Sequence, residues 1–317
     1  MTGNKRKKVG VAVLSAALLV TTAIAAVVPA VAAPAKPANQ AIAVKDFAGR
    51  EVKLSKPASR VVVLSSGDAR IMNDLGVRVV GRPAISDKTF PKEVMSAVEV
   101  GSTHGINYEK VTAAKPDLII ANVMNVKDVK SLEATGAKVF LGSANSVKDI
   151  TESISKYGKL TGKETKAKSL NYVIENKLKA IKPNKNAKKV LLVYGAPGQN
   201  LAALPSSLAG DLLAKVGGKN VAEDYPALKD YKGYAELSGE RIIASNPDVI
   251  LLITHGDPAA VKDAFFTEIK KNASWSDLKA VKNGKVHVLP SNLFGVNPGT
   301  KVTGAIDYIG YLLKQAN

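Results

Sequence analysis

Two short stretches with the same pattern, NYEKVTAAKPDLII at residues 107–120 and SGERIIASNPDVIL at residues 238–251, indicate how this chain folds. Each begins with a residue that can cap a helix, has a Glu two positions later, and ends in Pro-Asp before an apolar run. Such a pattern predicts a short helix that leads into a buried strand. A Glu is favourable at the positive end of any helix, but that effect alone does not explain matched residues, Glu109 and Glu240, in two separate halves of the chain.

Short apolar runs alternate with amphipathic segments on both sides of the middle of the chain. The runs that predict strands are RVVVL (60–64), DLIIA (117–121), AKVFL (137–141), KVLLVY (189–194), DVILLI (248–253) and KVHVL (285–289). Buried strands that alternate with helices are typical of parallel sheets covered on both faces. Between the halves, residues 146–181 carry apolar side chains at helical spacing.

The predicted fold is therefore α/β, with two parallel-sheet lobes joined by a single long helix and the ligand in the inter-lobe cleft. The pattern predicts an N-terminal α/β lobe at residues 46–161, a linking helix at 162–187 and a C-terminal α/β lobe at 188–317. Because a single helix resists hinge bending, we expect little change of shape when the ligand binds.

The first 32 residues have the composition of a secretory signal peptide. A basic head at residues 5–8 precedes a mostly apolar stretch at 9–28 and the small-residue sequence AVA at 30–32. This composition favours cleavage after Ala32, followed by a leader at residues 33–45. The alternative is an uncleaved N-terminal anchor, since about 20 apolar residues can span a bilayer. In both cases we expect an exported protein at the cell surface or in the periplasm.

Composition excludes several other functions. The chain has no cysteine, so it has no thiolate metal site, no Cys nucleophile and no lipoprotein Cys. Without residues 1–32 there are 45 − 4 = 41 Lys and Arg against 27 Asp and Glu, and this excess favours anionic ligands. The lysines are scattered and only 5% of residues are aromatic, so we expect no nucleic-acid partner. Common catalytic motifs are absent from the sequence, so no enzyme is predicted.

Further stretches that span nearly all the chain after residue 45 are DFAGREVKL (46–54), PASRVVVL (57–64), LGVRVVGRP (75–83) and GGKNV (217–221). Together with the two Glu…Pro-Asp repeats, they resemble the substrate-binding proteins of ABC importers for iron chelates, haem and cobalamin. The resemblance implies that one exposed Glu on each lobe docks on the permease dimer, which works with its ATPase. The matching positions are Glu109 and Glu240. We expect the chain to act as a monomer.

A narrower resemblance, to the haem receptors of the iron-regulated surface determinant type, is carried by residues 254–286, LFGVN (293–297), SDKTFPKEV (86–94) and YGAPGQN (194–200). In those receptors a His after the central strand of the second lobe and a Met before the Glu helix of the first lobe hold the haem iron. His255 falls on the His position, whereas His104 stands at the Met position. Lys88 matches a position that meets a haem propionate. The chain departs from the pattern in lacking the lipoprotein Cys.

The placement of the histidines independently favours two of the three as iron ligands. His255 follows the predicted strand 248–253, and His104 lies in a Gly-flanked loop before the Glu109 helix, whereas His287 lies within a predicted strand. Imidazole is a normal axial ligand of haem iron, and each lobe can offer one. Sulfur ligands are the alternative, although core packing is the commoner role for Met72, Met95 and Met124.

The remaining candidates would contact the body of the ligand. The turn LSSGDAR (64–70) leads from a strand into a helix, and the hydroxyls of Ser65 and Ser66 and free N–H groups there suit an anion such as a propionate. Tyr194, at the end of a predicted strand, could wall the pocket. The alternatives are a siderophore or cobalamin on the same scaffold and, more remotely, a two-lobed metal-dependent enzyme.

Overall fold

The computed structural model describes residues 41–85, 87, 89–182, 186–295 and 297–315. The predicted signal peptide at residues 1–32 and the predicted ligand contact Lys88 lie outside the described residues. Within these ranges no helix has both the length and the apolar character needed to cross a membrane.

The first lobe is built on a parallel sheet. Its strands are β1 (Ile42–Lys45), β2 (Glu51–Leu54), β3 (Val61–Val63), β4 (Val79–Arg82), β5 (Val98–Glu99), β6 (Gly101–Ser102), β7 (Gly105–Ile106), β8 (Leu118–Asn122) and β9 (Lys138–Gly142). Its helices are α1 (Ser66–Asp74), α2 (Lys92–Met95), α3 (Tyr108–Ala113), α4 (Val129–Glu133) and α5 (Val147–Thr161), with a 3-10 helix at Val123–Asp128. The sheet order is β5-β4-β3-β8-β9, and every pair in it is parallel.

The predicted leader at residues 33–45 is too long, because its last residues form a strand. Residues 42–45 are β1, which pairs antiparallel with β2. The reason lies in its apolar residues, of which Val44 is buried in the core of the first lobe.

Helix α6 (Glu164–Lys179) follows α5 and leads towards the second lobe. The break between the two helices is at Gly162, whose φ of +66° is left-handed and suits glycine. The linking helix is therefore shorter at both ends than the predicted span of 162–187. Lys177 on α6 forms an ion pair with Asp307 in the second lobe.

The second lobe contains β10 (Lys189–Ala196), β11 (Gln199–Ala203), β12 (Lys219–Asn220), β13 (Tyr234–Glu236), β14 (Val249–Thr254) and β15 (Val286–Val288). Its helices are α7 (Leu208–Lys215), α8 (Gly239–Ser245), α9 (Pro258–Lys271), α10 (Ala273–Ser276), α11 (Lys279–Lys282), α12 (Ser291–Phe294) and α13 (Val302–Gln315), with a 3-10 helix at Gly299–Lys301. The sheet order is β13-β11-β10-β14-β15, with β12 also beside β10.

This second sheet is mixed, so the predicted parallel strands are present and two further strands run antiparallel. Strands β12, β10, β14 and β15 pair in parallel, but β11 and β13 are antiparallel. The cause is a tight turn between β10 and β11, where Gly198 has a φ of +75° and the chain reverses directly.

The two repeated stretches fold alike. Asn107 caps α3 by accepting the N–H of Lys110 (2.9 Å), and Ser238 caps α8 by accepting that of Arg241 (3.4 Å). Both predicted helices, and the strands β8 and β14 that follow them, are therefore present.

The Asp of each repeat ties down a neighbouring strand. Asp117 accepts the backbone N–H groups of Ser59 (2.8 Å) and Arg60 (3.0 Å), just before β3. Asp248 accepts the N–H of Lys189 (2.9 Å), the first residue of β10. Each repeat thus fixes one helix, one central strand and the start of the adjacent strand.

Candidate functional site

His104 lies at the tip of a small hairpin in the first lobe. Strands β6 and β7 pair so that Thr103 and His104 form a two-residue turn, and the His104 side chain is exposed. Gly101 has a φ of +88°, and a Cβ there would lie 2.0 Å from the carbonyl oxygen of Gly105. Only glycine therefore allows the two strands to approach in this way.

The hairpin is anchored through Thr103. The buried side chain of Asn125 donates to the Thr103 carbonyl oxygen (2.9 Å), and the Thr103 hydroxyl donates to the carbonyl oxygen of Leu64 (3.4 Å). Leu64 directly precedes the Ser65–Ser66 turn, so the hairpin and that turn lie side by side.

His255 directly follows β14 and is held by the sheet itself. Its N–H donates to the carbonyl oxygen of Gly195 (2.8 Å), which continues the pairing of β14 with β10. Its half-buried ring stacks on Tyr194, with ring centroids 5.8 Å apart and planes at 30°. Burial and the nearby His104 lower the pKa of His255, which favours the neutral imidazole that can bind a metal.

Tyr194 belongs to an aromatic cluster on the second lobe. Its ring lies 5.0 Å from that of Tyr234 on β13. Burial and the neighbouring phenols of Tyr234 and Tyr231 raise the pKa of Tyr194 to about 12. Tyr194 is therefore a neutral phenol at physiological pH, and its ring forms a wall beside His255.

The structure brings His104 and His255 together across the cleft. Their ring centroids are 5.9 Å apart and the rings are nearly perpendicular, at 79°. Two metal–nitrogen bonds of about 2 Å each, plus the distance from each nitrogen to its ring centre, give roughly 6 Å. The separation is close to the value for two imidazoles on one metal, and it also falls in the range of an ordinary edge-to-face ring contact. Within the described ranges there is no cluster of three or more His, Cys, Asp or Glu that could hold a bare metal ion. The third histidine, His287, lies inside the sheet, where it pairs with Leu251.

A cavity of about 280 Å³ opens between the lobes beside the Ser65–Ser66 turn. Its first-lobe wall includes Ser66, Gly67 and Arg70, and its second-lobe wall includes Asn292 and Asn297. Both lobes thus supply polar groups to one space, as the prediction of an inter-lobe site requires.

The two predicted serines differ in what they contact. Ser65 caps α1, where its hydroxyl accepts the N–H of Asp68 (3.1 Å) and donates to the Asp68 carboxylate (2.5 Å). The Ser65 hydroxyl is thereby engaged within the protein. Ser66 is exposed and lines the cavity, so it is the serine of this turn that can meet a ligand directly.

The sequence reading missed Arg70 as a cavity residue. Its guanidinium lies 4.1 Å from the centre of the Phe90 ring and 3.4 Å from the Asp87 carboxylate. Burial raises the pKa of Asp87, but hydrogen bonds from Thr89 and Lys301 outweigh it and hold that pKa at about 2. The available signal was spacing, since Arg70 comes four residues after Ser66 on the same helix face.

The three candidate methionines differ in how they pack. Met72 is fully buried in α1 and Met95 packs partly buried against the core, as predicted. The prediction of core packing is wrong for Met124, which lies in the 3-10 helix after β8 and is 51% exposed.

Glu109 and Glu240 lie in the first turns of α3 and α8, and both are exposed. Glu109 and Glu240 therefore occupy equivalent positions, each in the short helix that begins the repeat of its own lobe.

Residues 61–293 match the family model for periplasmic binding proteins, and the chain belongs to this family, as a substrate-binding protein of an ABC importer. It is 33% identical over 246 residues to the high-affinity heme uptake system protein IsdE of Staphylococcus aureus (strain bovine RF122 / ET3-1), a match that covers 75% of this chain and 81% of that protein.

Two crystal structures resemble the fold closely. That of S. aureus IsdE complexed with heme has a TM-score of 0.71 at 29% identity, covering 80% of this chain and 98% of that chain. That of an ABC transporter substrate-binding protein from Listeria monocytogenes EGD-e has a TM-score of 0.71 at 27% identity, covering 81% and 98%. The predicted resemblance, the two-lobed fold and the substrate-binding function are thus confirmed.

Proposed function

We propose that this protein binds haem between its lobes and delivers it to the permease of an ABC importer. The observation that carries the proposal is the His104–His255 pair, with one imidazole from each lobe and ring centroids 5.9 Å apart. Two imidazoles fill the two axial positions of a six-coordinate iron, and a porphyrin supplies the other four ligands. The similarity to a heme uptake protein supports the same ligand.

The cavity lined by Ser66 and Arg70, to which neither histidine contributes, suits the propionates of haem. Ser66 offers a hydroxyl and Arg70 a guanidinium, which forms strong hydrogen bonds with carboxylates. Lys88, at the position implied by the family resemblance, would add a second cation. Tyr194 supplies an aromatic surface behind His255, and Ser65 acts through the cap of α1 that presents Ser66.

Delivery requires docking on two permease subunits, and Glu109 and Glu240 would each contact one of them. Each is exposed in the first turn of a short helix, one on each lobe. The protein works outside the cytoplasm as a monomeric carrier, without catalysis and without a nucleic-acid partner, and its permease is driven by an ATPase.

The binding test is the visible spectrum of the purified protein after titration with haemin. A low-spin, six-coordinate ferric spectrum with one haem per chain is the expected result, and His287→Gln is the matched control, because His287 lies in the sheet outside the pair. No change in the spectrum on titration, together with tight binding of a ferric siderophore or of cobalamin, would overturn the haem assignment.

The delivery test is transport into vesicles that contain the permease. Glu109→Ala and Glu240→Ala should each slow haem import while the haem affinity stays unchanged, and Glu164→Ala, on the linking helix, is the control for loss of an exposed acid. Normal import by both variants would refute the docking assignment.

A further inference from the structure

A second set of contacts joins the lobes, away from the histidines. The segment 297–301 of the second lobe lies against α1 and the loop after β4 of the first lobe. Its polar side chains each meet a first-lobe carboxylate. Asn297 donates to Asp68 (3.2 Å), Lys301 pairs with Asp87 (3.1 Å), and Thr300 donates to Asp74. We call these six residues the inter-lobe clasp.

The backbones of the two lobes touch at the clasp. A Cβ on Gly67 would lie 2.3 Å from the Asn297 carbonyl oxygen, and a Cβ on Gly299 would lie 2.5 Å from that of Gly67. Gly299 also has a φ of +57°. Both glycines are therefore needed for the segment to lie directly on α1. Such backbone contact leaves little room for one lobe to slide on the other.

Asp68 is the most deeply buried carboxylate of the clasp and is held from three sides. It accepts hydrogen bonds from Ser65 (2.5 Å), from the hydroxyl of Tyr157 on α5 (2.9 Å) and from Asn297 (3.2 Å). Asp68 is 6% exposed and Asn297 9%. Asp68 thus links the start of α1, helix α5 and the second lobe at one buried point.

The clasp also adjoins the candidate haem site. Gly67 and Asn297 line the cavity between the lobes. The turn before Gly67 contacts the His104 hairpin through the Leu64–Thr103 hydrogen bond. The clasp is therefore connected, through this turn, to the hairpin that carries His104.

We propose that the inter-lobe clasp positions the two histidines, by holding the lobes at the separation at which one iron atom accepts both imidazoles. Asp68 and Asn297 are then positioning residues for haem, and this assignment rests on the proposed function. The physical reason is that metal ligands must be held within about 0.5 Å of the geometry in which they bind. Helix α6 and a hydrogen bond from the Val147 N–H at the start of α5 to Asp211 on α7 (2.8 Å) also join the lobes, and the clasp is a further attachment that restrains their relative rotation.

The first experiment uses Asn297→Ala, with Asn220→Ala as the matched control. Asn220 is also buried, and its side-chain hydrogen bonds, to Ala203 and Ala222, stay within the second lobe. Asn297→Ala should speed haem loss roughly 10-fold, within the range for groups that orient metal ligands, and should convert part of the iron to five-coordinate. Asn220→Ala should do neither once both variants are shown to be folded by their thermal unfolding curves.

The decisive step repeats both variants in the His104→Ala background. There the iron has only the second-lobe ligand, so the lobe separation no longer matters for coordination. Asn297→Ala should then change the rate of haem loss by less than about 2-fold, since the two changes act on one interaction. An undiminished effect in this background would overturn the proposal. If Asn297→Ala does not fold, Thr300→Val replaces it.

A ligand-free measurement separates this proposal from the proposed function. The chain has no cysteine, so Lys130→Cys on α4 and Lys262→Cys on α9 would carry the only two spin labels, one on each lobe. Asn297→Ala should broaden the distance distribution between the labels, and Asn220→Ala should not. An unchanged distribution would refute the clasp even if haem binds. Broadening in a protein that binds no haem would refute the proposed function and leave the clasp as a restraint on the lobes.

Discussion

The two lobes present their histidines on different supports. His255 continues a central strand, is half-buried and stacks on Tyr194, whereas His104 stands exposed on a two-residue turn. A ligand held by a sheet and an aromatic ring is placed more precisely than one on a turn, which relies on the contacts around it for its position. The difference suggests a division of labour in which the second lobe supplies affinity and the first lobe sets the coordination of the iron.

The largest effect should come from His255→Ala. Loss of an outer-shell partner costs metal sites roughly 10- to 100-fold, so loss of the fixed ligand itself should weaken haem binding by about 1,000-fold, or about 4 kcal/mol. Haemin titration followed by absorbance measures this. Tyr194→Phe, which keeps the stacked ring, is the control and should lose little. Retention of near-normal affinity by His255→Ala would show that the lobes do not divide the task in this way.

The two lobes should also differ in how their stability depends on pH, because only α1 carries a buried Asp in its first turn. Asp68 follows the cap of α1 by three residues, and the same position after Ser207, the cap of α7, is Gly210. Burial raises the pKa of Asp68 to about 6 from 3.8, against the hydrogen bonds from Ser65 and Tyr157 that lower it.

Because this pKa is higher in the folded than in the unfolded chain, the protonated form stabilises the fold below about pH 4, and that contribution is lost as pH rises through about 6. The free energy of unfolding, measured with urea, should therefore fall by about 3 kcal/mol more in the wild type than in Asp68→Asn between pH 3.5 and 7. Asp74→Asn is the control in the same helix. Parallel pH profiles for wild type and Asp68→Asn would contradict the assignment.

Variants of His104 should have a smaller effect than those of His255. His104→Ala should leave five-coordinate, high-spin iron with affinity lowered about 10-fold, as when one contributing group around a metal is lost. His104→Met should be tolerated with an altered spectrum, because a thioether is also a haem ligand. Absorbance and electron paramagnetic resonance distinguish these states. A wild-type spectrum for His104→Ala would remove His104 from the site.

The smallest effect concerns the repeats. Lys115 and Asn246 stand before the Pro of each repeat, with left-handed φ values of +46° and +42°. Asn adopts this conformation more readily than Lys, so Lys115→Asn should raise the free energy of unfolding by about 0.5–1 kcal/mol, part of the roughly 1–2 kcal/mol that the left-handed region costs an ordinary residue. Urea unfolding measures it, with Lys115→Ala as the control that shortens the side chain without relieving the backbone. If Lys115→Asn does not raise the free energy of unfolding, the backbone at Lys115 is not strained.

Local patterns were sufficient to predict much of this protein. The caps of α3 and α8, the buried strands after them, the break at Gly162 and the order lobe, helix, lobe all follow from residues close together in the chain, because helix capping and strand burial depend on local spacing. His255 could be located because the carboxyl end of a central strand faces the cleft in such folds.

Other features depend on residues far apart in sequence, and only the tertiary structure decided them. The antiparallel pairing of β13 with β11 joins strands that are far apart in the sequence, and Asp117 and Asp248 hold strand starts that lie more than 50 positions before them. That Ser65 is engaged by Asp68 while Ser66 faces the cavity depends on three-dimensional packing at the start of α1. Above all, the sequence identified His104 and His255 as candidates, but their 5.9 Å separation and the Asp68–Asn297 contact exist only because the lobes are packed together. Distance across a cleft is a property of how the lobes meet, and no local pattern encodes it.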